Sequence, residues 1–214
     1  MAQQLDWYID FISPYPYLQL AKFDGLPADL EIRPKPVLFA ALLEHWENKG
    51  PAEIPAKRIQ TYRYCHWLAG KRGIPFKAPP RHPFNPLPLL RLAVSLDGDL
   101  DAMRVIFHHV WGAGQDADTP ESLRALGKTL GIDDVETRIA DQAVKDALRA
   151  NTDQAIKSGV FGVPTFVVGP ELFWGDDVTD MMIDYLNDPD LFTKDGLGRL
   201  TSLPVGMQRK ESRL

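Results

Sequence analysis

The sequence predicts an α/β protein whose sheet is interrupted by a long helical block. Three observations carry this. A run of aromatic and β-branched residues at 5–12 and a second strand-like stretch at 30–37 flank one helix-like stretch and give a β-α-β half. From about residue 38 to 158 every periodic segment has its apolar residues at three- and four-residue spacing, with no strand pattern. A proline-led apolar run at 162–169 is then followed by a short partner at 171–175 and one more helix, a β-β-α half.

Each element has its own signal. Leu5-Asp6-Trp7-Tyr8-Ile9-Asp10-Phe11-Ile12 reads as a buried strand, and Ser13-Pro14 stops it. Serine is a good helix N-cap and proline suits the first helical position, so a helix starts there and runs through Tyr17, Leu18, Ala21 and Phe23. Gly25 ends it, and 30–37 is the second strand. The helical block divides into 38–48, 56–71, 87–96, 100–111, 120–130 and 135–157, with 75–88 a proline-rich connector. Thr119-Pro120-Glu121 combines an N-cap, a first-position proline and an acid in the first turn. Gly73 and Gly131 fall where helix C-caps belong. The last helix spans 177–186, and 188–214 is a polar, peripheral tail. The expected organisation is a discontinuous domain of residues 1–37 and 159–190, a helical insertion at 38–158 and a tail at 191–214.

Composition narrows the function classes. The 214 residues are 44% hydrophobic and 25% charged, ordinary for a chain that buries a core. A net charge of −5, with no Lys/Arg cluster, argues against nucleic-acid binding. The single cysteine, Cys65, excludes an intrachain disulfide, a CxxC pair and a Cys/His zinc cluster, so no metal is expected. Cys65 reads as a packed helix residue, and the adjacent His108 and His109 point about 100° apart on a helix and cannot share a metal face. No apolar run is long enough for a membrane span, and the opening Met1-Ala2-Gln3-Gln4-Leu5-Asp6 lacks the features of a signal peptide. A soluble, cytoplasmic protein is expected.

Local sequence adds a resemblance. Gly159-Val160-Phe161-Gly162-Val163-Pro164-Thr165-Phe166 resembles the segment that carries the cis-proline of thioredoxin folds. Phe11-Ile12-Ser13-Pro14-Tyr15-Pro16-Tyr17-Leu18 resembles the active-site turn of 2-hydroxychromene-2-carboxylate isomerases and kappa-class glutathione transferases. Asn48-Lys49, then Pro55-Ala56-Lys57-Arg58 and Tyr62-Arg63, resemble the first insertion helices of that group. The resemblance covers most of residues 5–187 and implies a thioredoxin-like core with a DsbA-type helical insertion. It also implies glutathione as the cofactor, a small aromatic substrate and a homodimer. One position departs from the group, whose last hairpin runs into Gly-x-Asp-Arg; here it reads Gly175-Asp176-Asp177-Val178.

Within that resemblance the residues have definable chemistry. Ser13 stands where redox relatives place the attacking cysteine, so disulfide exchange is unavailable at the turn. A helix N-terminus and a hydroxyl donor remain, suited to holding a thiolate supplied by a bound molecule. The dipole contributes about 0.3–1 kcal/mol and a hydrogen bond to a charged group about 1.5–3 kcal/mol, so the hydroxyl should dominate. Ser13 also reads as a plain N-cap. With a cis Val163–Pro164 bond, Val163 would offer its N–H and C=O to an extended peptide such as glutathione. Backbone N–H groups at Asp176 and Asp177 would hold the γ-glutamyl carboxylate and the Asp177 side chain its ammonium, although both residues also read as helix caps. The resemblance places Asn48 on glutathione, Lys49 or Arg58 on a substrate carboxylate, and Tyr15 among the substrate-binding residues. The plainer reading of these basic residues, Lys57 included, is a solvated loop.

The resemblance therefore implies a glutathione-dependent isomerase of the 2-hydroxychromene-2-carboxylate type, acting in aromatic-hydrocarbon catabolism. The substrate's cyclic hemiketal and an open-chain benzylidenepyruvate would interconvert through transient thiolate addition. Alternatives are a kappa-like transferase that conjugates electrophiles and a non-catalytic thioredoxin-fold binding module.

Overall fold

The computed structural model describes residues 3–194 and 196–207. The final residues of the expected tail, 208–214, lie outside them. Strand β1 (Gln3–Ile9) is parallel to β2 (Leu30–Pro36) and antiparallel to β3 (Thr165–Val168), which pairs antiparallel with β4 (Glu171–Trp174). The order β2-β1-β3-β4 is the thioredoxin arrangement that the resemblance implies. As an inner strand, β1 buries Leu5, Trp7, Tyr8 and Ile9, with Asp6 between them half-buried and paired to Arg33. Pro34 and Pro36 cannot donate to a ladder, and both lie in β2 at the sheet edge.

Helix α1 (Pro14–Leu20) leaves β1 through a short turn. Ser13 is its N-cap, with extended backbone, and Pro14 occupies the first position. The insertion follows β2 as α2 (Phe39–His45), α3 (Pro55–Arg72), α4 (Leu87–Val94), α5 (Leu100–Phe107), α6 (Pro120–Thr129), α7 (Val135–Ala140) and α8 (Gln142–Lys157). Three expected helices change. The stretch 135–157 breaks at Asp141, whose extended backbone and side chain cap α8 by accepting from Ala143 N at 2.8 Å. The stretch 38–48 ends at His45, and Glu47 then takes a left-handed φ of 51°. Beyond Phe107 the helix widens into a π turn, His108–Gly112. A Cβ at Gly112 would collide with His108 and come within 2.7 Å of the Tyr17 hydroxyl, so only glycine fits there.

The insertion is stitched to the sheet at polar points. Trp111 Nε1 donates to Phe11 O at 2.8 Å, and Leu38 N donates to Thr152 Oγ1 at 3.1 Å. Asn151 Nδ2 donates to Pro36 O at 3.2 Å. Around these bonds Trp7, Phe11, Phe107 and Phe166 form an aromatic core, with Phe11 and Phe107 centroids 4.5 Å apart. The sheet, α1 and the insertion, up to Val178, make one compact unit; residues from Thr179 onward make a second. The second holds α9 (Thr179–Asn187), two residues later in onset than expected, and two short 3-10 turns, Leu191–Thr193 and Leu197–Ser202. Tyr185 stacks on Phe192 within it, centroids 5.1 Å apart. No helix among the described residues is long and apolar enough to cross a membrane.

Candidate functional site

Asp10 shapes the turn that presents Ser13. Its carbonyl accepts from Ser13 N at 3.2 Å, its Oδ1 from Ile12 N at 3.0 Å and its Oδ2 from Phe39 N at 2.9 Å. One carboxylate thus pins the end of β1 to the start of α2. It is fully buried, and burial pushes its pKa up to about 7 against the pull of those N–H groups. Ser13, nine-tenths buried, caps α1 through its Oγ, which accepts from Tyr15 N at a long 3.4 Å. Capping uses an oxygen lone pair and not the hydroxyl hydrogen.

Across the turn, Val163–Pro164 is a cis bond, as the sequence leads one to expect. Ser13 and Val163 line one cavity of about 500 Å³, within the roughly 300–1,000 Å³ typical of small-molecule sites. Tyr15, Asn48, Lys49, Lys57 and Arg58 line it too, so segments far apart in sequence converge there. Its charge balance favours anions. Lys49, Lys57 and Arg58 face two acids: Glu53, whose Oε1 already accepts from Gly50 N at 2.6 Å, and Asp10, whose charge burial disfavours. The rest of the wall is largely apolar, with Phe39, Leu43, Phe84, Phe161 and Trp174.

Three expected residues do not join it. Pro164, Asp176 and Asp177 are absent from the cavity wall. The Asp176 carboxylate is 4% exposed and held bidentately by Arg72, at 2.8 Å to each oxygen, with Lys22 Nζ at 2.7 Å from the Asp176 carbonyl. That side chain anchors the segment after β4 to α3. Asp177 is exposed, and its carboxylate leans back over Gly175, whose φ of 107° requires glycine. Tyr15 presents its ring to the cavity while its hydroxyl interacts with Thr61 and Cys65, and burial raises its pKa. Cys65 is fully buried as expected, and burial pushes its thiol up to about 12. It is no nucleophile at neutral pH.

Most of the other wall residues carry no signal that sequence reading could use. Phe161, in the loop before β3, and Trp174, at the end of β4, meet edge to face, centroids 5.1 Å apart, and neither position is marked in the sequence. Tyr62 and His82 also line the cavity, with Tyr62 Oη and His82 Nδ1 2.7 Å apart. A signal for Tyr62 existed: Arg58 lies four residues earlier, so the two share a helix face.

The chain belongs to the DSBA-like thioredoxin domain family, whose model matches residues 4–187. Within that family it groups with isomerases and glutathione transferases. It is 31% identical over 185 residues to 2-hydroxychromene-2-carboxylate isomerase of Pseudomonas putida, covering 81% of this chain and 89% of the relative. It is 28% identical over 198 residues to the Sphingobium xenophagum protein of that name, covering 88% and 100%. Glutathione S-transferase kappa 2 of Caenorhabditis elegans is 28% identical over 208 residues, covering 86% and 91%. A solved structure of 2-hydroxychromene-2-carboxylate isomerase superposes with a TM-score of 0.75 at 26% identity, covering 94% of this chain and 98% of that one.

Proposed function

We propose that this protein is a glutathione-dependent isomerase that interconverts a 2-hydroxychromene-2-carboxylate-type hemiketal and its open-chain benzylidenepyruvate. The observation that carries the reading is the placement of the Ser13 hydroxyl, at the N-terminus of α1, in the same anion-favouring cavity as Val163. The turn holds no cysteine, and the chain's single thiol is buried, which favours thiol addition chemistry over disulfide exchange.

The donor set fits glutathione. Ser13 would hold its sulfur, the Val163 backbone its extended chain and Asn48 its polar groups. By likeness to the isomerases and kappa transferases the γ-glutamyl ammonium is assigned to Asp177, which lies outside the cavity wall, three residues beyond Trp174. Bound glutathione supplies a nucleophilic sulfur that adds reversibly to the substrate's conjugated chain. The protein's share is to orient that sulfur and keep it ionised. Ser13 donates its hydroxyl hydrogen toward it, and the dipole of α1 adds a smaller favourable field, since Pro14 and Pro16 have no N–H and that of Tyr15 is turned to Ser13 Oγ. Lys49 and Arg58 would hold the substrate carboxylate, while Phe39, Phe84, Phe161 and Trp174 exclude water around an aromatic ring. We assign a cytoplasmic homodimer by the same likeness to the isomerases.

The distinction from a conjugating transferase lies in whether glutathione is returned. With substrate in large excess over glutathione, an isomerase completes many turnovers per glutathione, and thorough removal of thiols abolishes activity. Product stopping at one equivalent per glutathione would favour the transferase, and full activity without thiol would overturn the glutathione reading.

A further inference from the structure

The mechanism above assigns no group to the substrate's own protons, yet the hemiketal must lose one and its ring oxygen must gain one. Two side chains in the cavity wall are arranged for this. His82 Nε2 lies 2.7 Å from the carbonyl oxygen of Ile12, the residue directly before Ser13. A carbonyl only accepts, so Nε2 carries the hydrogen. Nδ1 of the neutral ring is then a lone pair, and it lies 2.7 Å from Tyr62 Oη. The Tyr62 hydroxyl therefore donates to His82, with the His82 carbonyl a second, longer acceptor at 3.3 Å.

We infer that Tyr62 and His82 form an acid–base relay that takes the proton from the substrate's hemiketal hydroxyl and returns it to the ring oxygen. This rests on the isomerase reading. Tyr62 is the catalytic residue, since it faces the cavity, and His82 acts through it. In the step, Tyr62 Oη takes the hydroxyl proton while its own passes to His82 Nδ1. The electron pair of the broken O–H bond forms the carbonyl, and the ring C–O bond breaks with its pair going to the ring oxygen. That oxygen takes the proton from Tyr62 Oη as Nδ1 gives its proton back. The relay ends as it began, and the substrate has moved one proton between two of its own oxygens.

The surroundings agree with each role. Burial lowers the His82 pKa below its ordinary value, so the ring is neutral and ready to accept near pH 7. Burial raises the Tyr62 pKa and the Arg58 guanidinium opposes the rise, so the phenol keeps its hydrogen near neutral pH and can relay it to His82. Arg58 precedes Tyr62 by one helical turn. A substrate carboxylate held there sits on the same carbon as the hemiketal hydroxyl, bringing that hydroxyl to Tyr62.

The test compares Tyr62→Phe and His82→Gln with the unaltered protein, using glutathione and 2-hydroxychromene-2-carboxylate. Glutamine can accept from Tyr62 and donate to Ile12, so it keeps the tether but cannot take the proton. Each variant should lose about ten- to hundredfold in kcat, with KM changed less than about threefold and the bound-thiol titration unchanged. Unchanged kcat in the variants would overturn the relay, as would a loss explained wholly by a shifted thiol titration. An unaltered protein that does not open the ring at all would instead overturn the isomerase reading, and the relay with it. Nitrogen NMR of His82 is independent of turnover and of variant folding. A hydrogen on Nε2 at neutral pH is expected, and one on Nδ1 would overturn the relay.

Discussion

The indole nitrogen of Trp111 donates to the carbonyl of Phe11 across 2.8 Å, with both residues fully buried. One bond between residues a hundred positions apart fastens the insertion to the turn that presents Ser13. Trp111→Phe removes the donor, leaves a buried carbonyl unsatisfied and opens space in the core. It should cost about 2–4 kcal/mol in urea unfolding. A loss under about 0.5 kcal/mol would show that the insertion is held elsewhere.

Gly162 is predicted to be intolerant for a reason in the cavity wall. A Cβ there would collide with the Trp174 indole, which lies against the chain just before Val163. Gly162→Ala should displace Trp174 and raise KM for glutathione about three- to tenfold, with thermal stability reduced only modestly. Unchanged KM and unchanged Trp174 fluorescence on ligand addition would contradict this.

Asp177→Ala tests the γ-glutamyl end. Loss of a charge-assisted hydrogen bond of about 1–3 kcal/mol should weaken glutathione binding by roughly five- to 150-fold, measured by calorimetry, with little change in kcat. Unaltered affinity would reduce Asp177 to a surface residue beside Gly175.

Asp10 gives a pH dependence of defined sign. Its folded pKa, about 7, lies above its ordinary value of 3.8, so the folded state holds its proton more tightly than the unfolded chain. The stability it contributes is full below pH 4 and is lost as pH rises toward 7. The unfolding free energy of the natural protein, relative to Asp10→Asn, should therefore fall between pH 4.5 and 7.5. A rise over that window would mean that the N–H groups of Ile12 and Phe39 outweigh burial.

The fold was legible because its signals are local. Apolar runs marked β1 and β3, Ser13-Pro14 marked the start of α1, and the change to helical spacing after Val37 marked the insertion. What escaped was set by tertiary contact. The break at Asp141 lies inside a continuous helical pattern, and only the capping bond to Ala143 shows why the chain turns there. At the site, Ser13, Asn48, Lys49, Arg58 and Val163 could be named from motif, and the structure brings them together. Asp176 follows a strand as a cap would, and nothing in the sequence pairs it with Arg72, 104 positions away. His82 is likewise an ordinary residue until the fold places its Nδ1 2.7 Å from Tyr62 Oη.

Titration of glutathione bound to Ser13→Ala is the most direct measurement of the proposed chemistry. The substitution keeps the backbone of α1 and its field but removes the hydroxyl, so ultraviolet thiolate absorbance at saturating glutathione reads the Ser13 contribution alone. Folding is checked separately, because loss of the N-cap costs about 1 kcal/mol. A charge-assisted bond of about 1.5–3 kcal/mol corresponds to a rise in the bound thiol's pKa of about 1–2 pH units. Turnover near neutral pH should fall roughly tenfold to a hundredfold and recover in part as pH rises. A folded Ser13→Ala protein with an unshifted thiol pKa and full activity would contradict the assignment of Ser13 as the residue that holds the sulfur.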